Sequence, residues 1–432
     1  MTNDEINEKY KMAKKYCKSN NIEEQKKAFN IFCELEERYN DINSRYYLGK
    51  MYYYGIYVGR NYEKAYEIFS RLEKENDDKD AKCFLGQMYY FGHYVERNYK
   101  KAYEYFNDLS EKYEDREAEY YLGQMYYFGH YVEQNYEKAY KIFSRLVKEN
   151  DDKDAKCFLG RLYYFGYYVE RNYEKAYEYF KELVEKYDDR DARYFLGRMY
   201  YFGQYVEEDY KKAYEYFKEL VEKYDSQNAR YYLGKMYYFG EYVEQNYEKA
   251  YKIFSRLVKE NDDTDAKYFL GGMYYFGKYV EQDYKKAYEI FKELVEKYNN
   301  YDAKEYLAIM YFFGLYVERN PKKAYELFKE LVEEKDSKLA KAYIGCMYYY
   351  DDYVDVNYEK AYKIFSDLAR PEIEKIDVLA YKIAIDHLGK MYYNGRYVEQ
   401  NYQKAYDLFK ELVEKYNDED AKKYLEKIEN NN

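Results

Sequence analysis

The chain has 432 residues, a formal net charge of −11 and an aromatic content of 23%, with 75 Tyr, 24 Phe and no Trp. The negative charge argues against generic nucleic-acid binding, because such binding needs a basic surface that displaces counterions from phosphates. The abundance of tyrosine predicts a core built largely from Tyr rings, whose hydroxyl groups then need hydrogen-bonding partners.

The N-terminal segment is polar and acidic. Residues 1–11 contain no apolar run that could form a signal peptide or a membrane span, which favours a cytoplasmic protein without a membrane anchor. Lys11 and Met12 stand where later copies of a repeat have Leu and Gly. Residues 1–43 are therefore predicted to be a degenerate N-terminal capping repeat whose polar end faces water.

Residues 44–369 repeat with a period of 37, seen in the Gly of a Leu-Gly pair and in the Ala of a Lys-Ala-Tyr or Lys-Ala-Phe triplet. A period between about 20 and 50 residues is typical of a solenoid, in which each unit buries its apolar face against its neighbours. The sequence therefore predicts one elongated domain. The glycines are Gly49, Gly86, Gly123, Gly160, Gly197, Gly234, Gly271 and, after Ala308, Gly345. The alanines are Ala28, Ala65, Ala102, Ala139, Ala176, Ala213, Ala250, Ala287, Ala324, Ala361 and, after a longer step, Ala405.

The first half of each repeat is predicted to be a helix, which we call helix A. In residues 191–224, helix A covers about 192–202, because the apolar residues there recur on one helical face. Asp191 is the predicted N-cap, and Gly203 ends the helix because glycine accepts the positive φ found just past a helix. Gly197 within the helix costs about 1 kcal/mol relative to Ala. Its recurrence predicts that the backbone of a neighbouring helix approaches it closely.

The second half of each repeat is predicted to be another helix, helix B, which begins after an Asn or Asp. These residue types are the best N-caps, and Pro321 follows one of them at the first helical position, where proline is favoured. On helix B, Ala213, Phe217 and Leu220 share the apolar face. The predicted caps are Asn61, Asn98, Asn135, Asn172, Asp209, Asn246, Asp283, Asn320, Asn357 and Asn401.

Residues 370–432 are predicted to hold an irregular insertion, the last repeat, a C-terminal capping helix at 421–428 and a polar tail. Seven extra residues separate Ala361 from Ala405. Pro371 is expected to stop one helix, and residues 373–393 are expected to form a longer helix A. We hypothesise that the insertion bends the solenoid or docks a partner; the alternative is a simple loop insertion.

The repeat resembles the Sel1-like repeat, a branch of the tetratricopeptide clan, over about residues 44–424. The resemblance implies an all-α, right-handed α/α superhelical solenoid of about eleven 37-residue helix-turn-helix repeats with capping helices. It also implies that the A helices line a concave side used for protein–protein interaction. Tyr205 departs from the family pattern, which usually has Gly there, so the turn is bulkier. The residues that carry the resemblance are Ala192, Leu196, Gly197, Tyr200, Gly203, Val206, Asp209 and Ala213.

The side chains that could support chemistry are few. Five cysteines form no repeated pair, and Cys83 and Cys157 stand two repeats apart, too far for a disulfide. Reduced thiols are therefore expected. His93 and His130 hold equivalent turn positions, which raises a metal hypothesis, but zinc needs three or four protein ligands. Exposed turn histidines are the favoured interpretation, and His387 is expected to be structural. We predict no enzymatic activity, no cofactor and no metal.

The candidate partner-binding site lies on helix A, opposite its packing face. In residues 191–224 this surface carries Tyr194, Arg198 and Tyr201, and tyrosine and arginine are enriched at binding hot spots. The tyrosines either form an exposed ladder or pack between adjacent A helices, whereas Arg161, Arg198 and Lys235 are expected at the surface. The equivalent residues are Tyr120, Gln124 and Tyr127; Cys157, Arg161 and Tyr164; Tyr231, Lys235 and Tyr238; and Tyr268, Gly272 and Tyr275.

These features together predict a non-enzymatic adaptor or scaffold that binds other proteins or extended peptides, with acidic or aromatic residues favoured in the ligand. The alternative is a structural protein that self-associates or packs into a larger particle.

Overall fold

The computed structural model describes residues 2–430, so Met1 and the last two residues of the predicted polar tail lie outside it. The described residues form 24 α-helices and no β-strand, which confirms the all-α prediction. None of these helices is both long enough and apolar enough to span a membrane. The helices are α1 Asn3–Cys17, α2 Ile22–Tyr39, α3 Ile42–Tyr54, α4 Tyr62–Asn76, α5 Lys79–Phe91, α6 Tyr99–Tyr113, α7 Arg116–Phe128, α8 Tyr136–Asn150, α9 Lys153–Phe165, α10 Tyr173–Tyr187, α11 Arg190–Phe202, α12 Tyr210–Tyr224, α13 Gln227–Phe239, α14 Tyr247–Asn261, α15 Thr264–Phe276, α16 Tyr284–Tyr298, α17 Tyr301–Phe313, α18 Pro321–Lys335, α19 Lys338–Tyr350, α20 Tyr358–Leu368, α21 Pro371–Ile376, α22 Val378–Asn394, α23 Tyr402–Tyr416 and α24 Glu419–Glu429.

Contacts divide the chain into two compact units, Met1–Tyr216 and Phe217–Asn432. Within each unit consecutive helices pack in sequence order, as α9 packs against α8 and α10 in the first unit and α15 packs against α14 and α16 in the second. This stacking of helix pairs is the solenoid architecture that the repeat period predicts. The domain boundaries drawn from sequence after residues 43 and 369 remain predictions.

The helix starts follow from the caps. Helix α10 begins after Asn172, whose Oδ1 accepts a hydrogen bond from the Lys175 N–H at 2.9 Å. The same arrangement recurs at the other predicted caps of helix B, and Pro321 is the first residue of α18, so these predictions are confirmed. The predicted N-cap Asp191 is wrong. Asp189 caps α11 instead, with its Oδ1 accepting from the Ala192 N–H at 2.8 Å.

The recurring Leu-Gly glycine accommodates an aromatic ring. A Cβ placed on Gly160 would lie 2.6 Å from Cε1 of Phe180, a fully buried residue of the following helix B. The same contact recurs in other repeats, including 2.7 Å between a Cβ on Gly271 and Phe291. The close neighbour is thus a phenylalanine ring, and the expectation of a neighbouring backbone is wrong.

Tyrosine hydroxyls pair across the repeats. The hydroxyl of Tyr140 on α8 lies 3.1 Å from that of Tyr163 on α9, and Tyr177 and Tyr200 make the equivalent contact at 3.2 Å. This pairing satisfies the polar end of each side chain while its ring packs, as expected for a tyrosine-rich core.

The turn between helices A and B holds a tyrosine in the left-handed region. Tyr205, where the family usually has Gly, has a φ of 66°. A non-glycine residue in this region is strained. The ring compensates by packing against Tyr177 of the preceding helix B, with 5.5 Å between centroids, while the Tyr205 hydroxyl donates to Glu174 at 3.2 Å.

The irregular segment contains two helices. Pro371 begins the short helix α21, and Asp377 separates α21 from α22 by capping the latter, its Oδ1 accepting from the Ala380 N–H at 2.9 Å. The single helix expected over 373–393 is therefore wrong. Ile373 is buried, and Glu374 pairs with Lys415 of α23 at 3.1 Å, so α21 packs onto the last repeat.

Candidate functional site

The predicted tyrosine ladder is packed between A helices in the first unit. Tyr127, Tyr164 and Tyr201 are buried. The rings of Tyr127 and Tyr164 meet Phe158 and Phe195 of the next helix A edge to face, at centroid distances of 5.1 and 5.2 Å. Burial raises the pKa of Tyr127. Tyr127 and Tyr164 therefore join neighbouring repeats.

Two tyrosines of the same column are less buried in the second unit. Tyr238 and Tyr275 are partly exposed, and Tyr275 contacts Tyr306 of the next helix A at 5.2 Å. Burial raises the pKa of both Tyr238 and Tyr275 to about 12. This part of the column combines packing with access to solvent.

The first column of the predicted site is partly exposed. Its tyrosines are Tyr120, Tyr194, Tyr231 and Tyr268. Each of three rings approaches the next helix A, as in the 6.0 Å contact between Tyr120 and Phe158. Tyr120 also lines a groove of about 460 Å³ together with Glu117 and Asp154. This column can contact both the scaffold and a ligand.

The middle column is engaged by its own chain. The Arg161 side chain is only 18% exposed and donates to Asp191 at 2.6 Å, so the expectation of surface exposure is wrong for Arg161. Its guanidinium also lies over the ring of Phe158 at 5.0 Å. Asp191 is free to accept the hydrogen bond from Arg161 because α11 starts two residues earlier than predicted and Asp191 is not its N-cap.

The other members of the middle column that carry a side chain are partly exposed, whereas Gly272 is buried. Arg198 lies over the Tyr164 ring at 5.2 Å, and Lys235 lies over the Tyr232 ring at 5.7 Å. The Oε1 of Gln124 is 3.4 Å from the hydroxyl of Tyr90 on the preceding helix A. Arg198 and Lys235 therefore rest on aromatic rings, and Gln124 contacts a tyrosine hydroxyl.

Sequence reasoning missed a row of exposed aromatic residues at the C-terminal ends of the A helices. Phe128 is 43% exposed, although its ring touches that of Phe158 at a centroid distance of 5.9 Å. The signal was present in the sequence, because Phe recurs there with the 37-residue period. We call these residues the phenylalanine row: Phe91, Phe128 and Phe202 in the first unit, and Phe239, Phe276 and Phe313 in the second.

The histidines are integrated into the aromatic packing. His93 stacks on Tyr62 at 4.2 Å, and His130 stacks on Tyr99 at the same distance. The Nδ1 of His93 is 3.2 Å from the Tyr53 hydroxyl. The interpretation of both as exposed turn histidines is therefore wrong, because each ring is partly covered. Residues 2–430 contain no group of three or more His, Cys, Asp or Glu side chains that could hold a metal ion.

The cysteines are free thiols. Cys346 is buried, and its Sγ lies 3.6 Å from Nε2 of the buried His387. Burial raises the pKa of the Cys346 thiol to about 12 and lowers the pKa of His387. A thiol held protonated in a closed core is a poor nucleophile, so this pair supports a structural interpretation.

Comparison with known proteins places the architecture in a family. Stacked pairs of a 13-residue helix A and a 15-residue helix B define an α-solenoid of short repeats. The Sel1 repeat profile matches most of the chain, and the chain therefore belongs to the Sel1 repeat family. Repeats of this kind are typically protein–protein interaction scaffolds. The matched segments are residues 42–77, 79–107, 116–151, 153–187, 190–224, 227–262, 264–297, 302–336, 338–366 and 383–417.

The chain is similar to several solved structures. The c5321 protective antigen of uropathogenic Escherichia coli, which displays an SLR fold, is 21% identical with a TM-score of 0.57, over 96% of this chain and 91% of the antigen. A Sel1 repeat protein from Oxalobacter formigenes is 21% identical with a TM-score of 0.43, over 76% and 94%. The Cut9–Hcn1 hetero-tetramer structure matches at 12% identity and a TM-score of 0.50, over 94% and 87%. A search of curated proteins finds no significant relative.

Proposed function

We propose that this chain is a non-enzymatic adaptor or scaffold that binds other proteins or extended peptides through the face formed by its A helices. The observation that supports the proposal is the phenylalanine row. Phe91, Phe128 and Phe202 are 41%, 43% and 44% exposed, whereas the phenylalanines of helix B, such as Phe180, are fully buried. Recurring exposed apolar side chains on one helical face are typical of an interaction surface.

The predicted site residues have different roles in this proposal. Tyr120, Tyr194, Tyr231 and Tyr268 are accessible enough to contact a ligand beside the phenylalanine row. The buried Tyr127, Tyr164 and Tyr201 support the surface from below. Because Arg161 already pairs with Asp191, it offers little to an acidic ligand. An apolar or aromatic segment therefore fits this face better than an acidic one.

Self-association is the second candidate function. The turn tyrosines Tyr94, Tyr131, Tyr168 and Tyr205 are 53–54% exposed and recur in consecutive repeats. Such a row could join copies of the chain. Light scattering over a concentration series separates the candidates, because a mass independent of concentration favours the adaptor and a rising mass favours assembly.

We place the adaptor in a reducing compartment, as expected for a cytoplasmic protein. The five free cysteines support this location. Labelling thiols before and after reduction of protein from the native host tests it, with equal labelling expected.

The phenylalanine row can be tested by a matched pair of triple variants. F91S/F128S/F202S removes the row, and Y94S/Y131S/Y205S changes an equally exposed row on the turns. Proteins captured from extracts of the native host by the wild-type chain should be lost with the first variant and kept with the second. Equal capture by the phenylalanine variant and the wild type would overturn the proposal, provided that circular dichroism shows both to be folded.

A further inference from the structure

A side chain from helix A fills a niche between adjacent A helices in the first unit. The Arg161 guanidinium lies over the rings of Phe158 and Phe195, at 5.0 and 5.5 Å from their centroids, and it pairs with Asp191. Phe195 and Asp191 belong to α11, the next helix A. One repeat pair therefore shows how this position holds a cation: two aromatic faces and a carboxylate surround it.

A second repeat confirms that the position reaches the next helix A. Gln87 on α5 occupies the place of Arg161 and donates from its Nε2 to Glu117 of α7 at 2.8 Å. Glu117 occupies the place of Asp191. The contact between this side chain and the acidic residue of the next helix A thus recurs with either a charged or a neutral donor.

In the second unit the corresponding residue of α15 is Gly272. Gly272 is itself buried, but a Cβ placed on it meets no heavy atom within 4 Å. The other groups of the niche are kept, because Phe269 and Tyr306 correspond to Phe158 and Phe195, and Asp302 corresponds to Asp191. We call the space bounded by Phe269, Gly272, Asp302 and Tyr306 the Gly272 niche.

The aromatic groups of the Gly272 niche are more exposed than their equivalents beside Arg161. Phe269 and Tyr306 are partly exposed, whereas Phe158 and Phe195 are both 6% exposed. Tyr275 is also partly exposed, whereas its equivalent Tyr164 is buried. The rings are therefore available to a ligand, and aromatic faces attract cations.

The carboxylates of this region lack a cation of their own. Among the described residues, none makes an ion pair or a hydrogen bond with the Asp302 carboxylate. Glu305, one turn further along α17, accepts a hydrogen bond from the Ser337 hydroxyl at 2.7 Å. Burial, and then the nearby charges of Asp377 and Asp302, raise the pKa of Glu305. A negative charge is thus held here at an energetic cost.

Asp302, which bounds the niche, and Glu305 both line a groove of about 750 Å³. Two lysines also line the groove, but both are engaged. Lys338 pairs with Asp336, and the Lys335 ammonium lies over the Tyr301 ring at 4.5 Å. The groove therefore gives a ligand access to Asp302 and Glu305, which have no ion-pair partner among residues 2–430.

We propose that the Gly272 niche binds a basic side chain, arginine or lysine, presented by an extended segment of a partner protein. The cation sits over Phe269 and Tyr306 and pairs with Asp302, as Arg161 sits over Phe158 and Phe195 and pairs with Asp191. The inference rests on the proposed binding function and specifies the partner chemistry: basic at this niche, in contrast to the acidic ligand expected from sequence.

The test uses Nα-acetyl-arginine N-methylamide as the probe, with Nα-acetyl-norleucine N-methylamide as the uncharged control, in saturation-transfer NMR with the full chain. The wild-type chain should transfer at least five times more saturation to the arginine probe than to the norleucine control. G272R should abolish the difference, because the introduced side chain fills the niche in the way that Arg161 does. D302N should weaken it while leaving the space open. R161G should create a second niche and increase the signal.

An unchanged arginine signal in both G272R and D302N overturns the proposal, as does equal saturation of the two probes or no saturation by the wild type. If circular dichroism shows that G272R is unfolded, D302N decides alone. Failure here is distinguishable from failure of the proposed function, which rests on capture by the phenylalanine-row variants and needs no arginine.

Discussion

At the scale of single residues, charged side chains are buried between helices, which sequence analysis did not foresee. Lys156, whose side chain is 4% exposed, pairs with Asp151 at 2.5 Å and with Glu182 at 2.7 Å. In the preceding repeat the signs are reversed: Glu119, 7% exposed, pairs with Arg145 at 2.7 Å. Both partners change sign between the two repeats, so each pair still joins opposite charges. This indicates that a charge buried at this position requires an oppositely charged partner.

Arg145→Glu should destabilise the protein, because it leaves the buried Glu119 carboxylate facing another carboxylate. Arg145 is about half exposed, so the expected loss is about 1–3 kcal/mol in the free energy of unfolding. The double variant E119K/R145E should recover most of the loss, since it recreates the Lys156–Glu182 arrangement. Urea unfolding followed by circular dichroism measures both.

Arg256→Glu is the matched control at the same repeat position. There the buried partner is Arg230, which shares Glu260 with Arg256. The new carboxylate gains a buried cation, so the change should stay within about 0.5 kcal/mol of the wild type. A loss as large as that of R145E would show that the charge pairing is unimportant.

His387 replaces an aromatic residue in the core. It stacks on Phe365 at 4.8 Å, as Phe195 stacks on Phe180, and its Nδ1 donates to the Ile383 carbonyl at 2.8 Å. Burial lowers the pKa of His387, and the nearby Lys390 also lowers it while Asp386 raises it. The folded state therefore favours the neutral ring.

His387→Phe should remove a pH dependence of stability. Because the folded pKa lies below the unfolded value of about 6.5, the unfolded state binds the proton first, and stability is full above pH 6.5 and falls as the pH decreases below it. The wild type should lose up to about 1.4 kcal/mol per pH unit relative to the variant. Denaturant unfolding from pH 5 to 8 measures this difference, and parallel pH profiles would contradict it.

At the scale of the helix pair, most boundaries follow from local signals. The caps of helix B were predictable because each Asn or Asp stands alone before the apolar face. The start of α11 was misplaced because Asp189 and Asp191 can both cap a helix, and only the backbone geometry chooses between them. Whether a side chain such as that of Tyr127 or Arg161 is buried depends on its neighbours in space, which the sequence alone does not specify.

The phenylalanine row shows a further limit of sequence reasoning. Phe128 precedes a turn glycine in an aromatic run, and its apolar character alone suggests a core residue. The preceding Tyr127 is the buried one. The side chains of Tyr127 and Phe128 point about 100° apart around the helix axis. The packing of the next helix A decides which of the two is covered.

Asn172→Ala should cost about 1 kcal/mol of stability, because the first turn of α10 loses the hydrogen bond to the Lys175 N–H. Asn172→Asp is the conservative control and should be nearly neutral, since Asp209 and Asp283 cap other B helices. Hydrogen exchange of the first turn of α10, together with the thermal midpoint, measures the effect. Equal protection in the Ala variant would contradict a capping role.

At the scale of the whole molecule, the repeats divide into buried and accessible positions. Buried phenylalanines, capping residues and inter-repeat ion pairs maintain the stack. The phenylalanine row, the partly exposed tyrosines and the Gly272 niche remain accessible on the A helices. The central claim is that partner proteins bind to these accessible positions.

Site-specific photo-crosslinking in the native host tests that claim most directly. A benzoylphenylalanine replaces Phe128 on the row in one variant and Lys141, exposed on helix α8 of the same repeat, in the other. The account predicts a cross-linked partner from position 128 and little or none from position 141. Cross-links from position 141 alone, or equally from both positions, would contradict it.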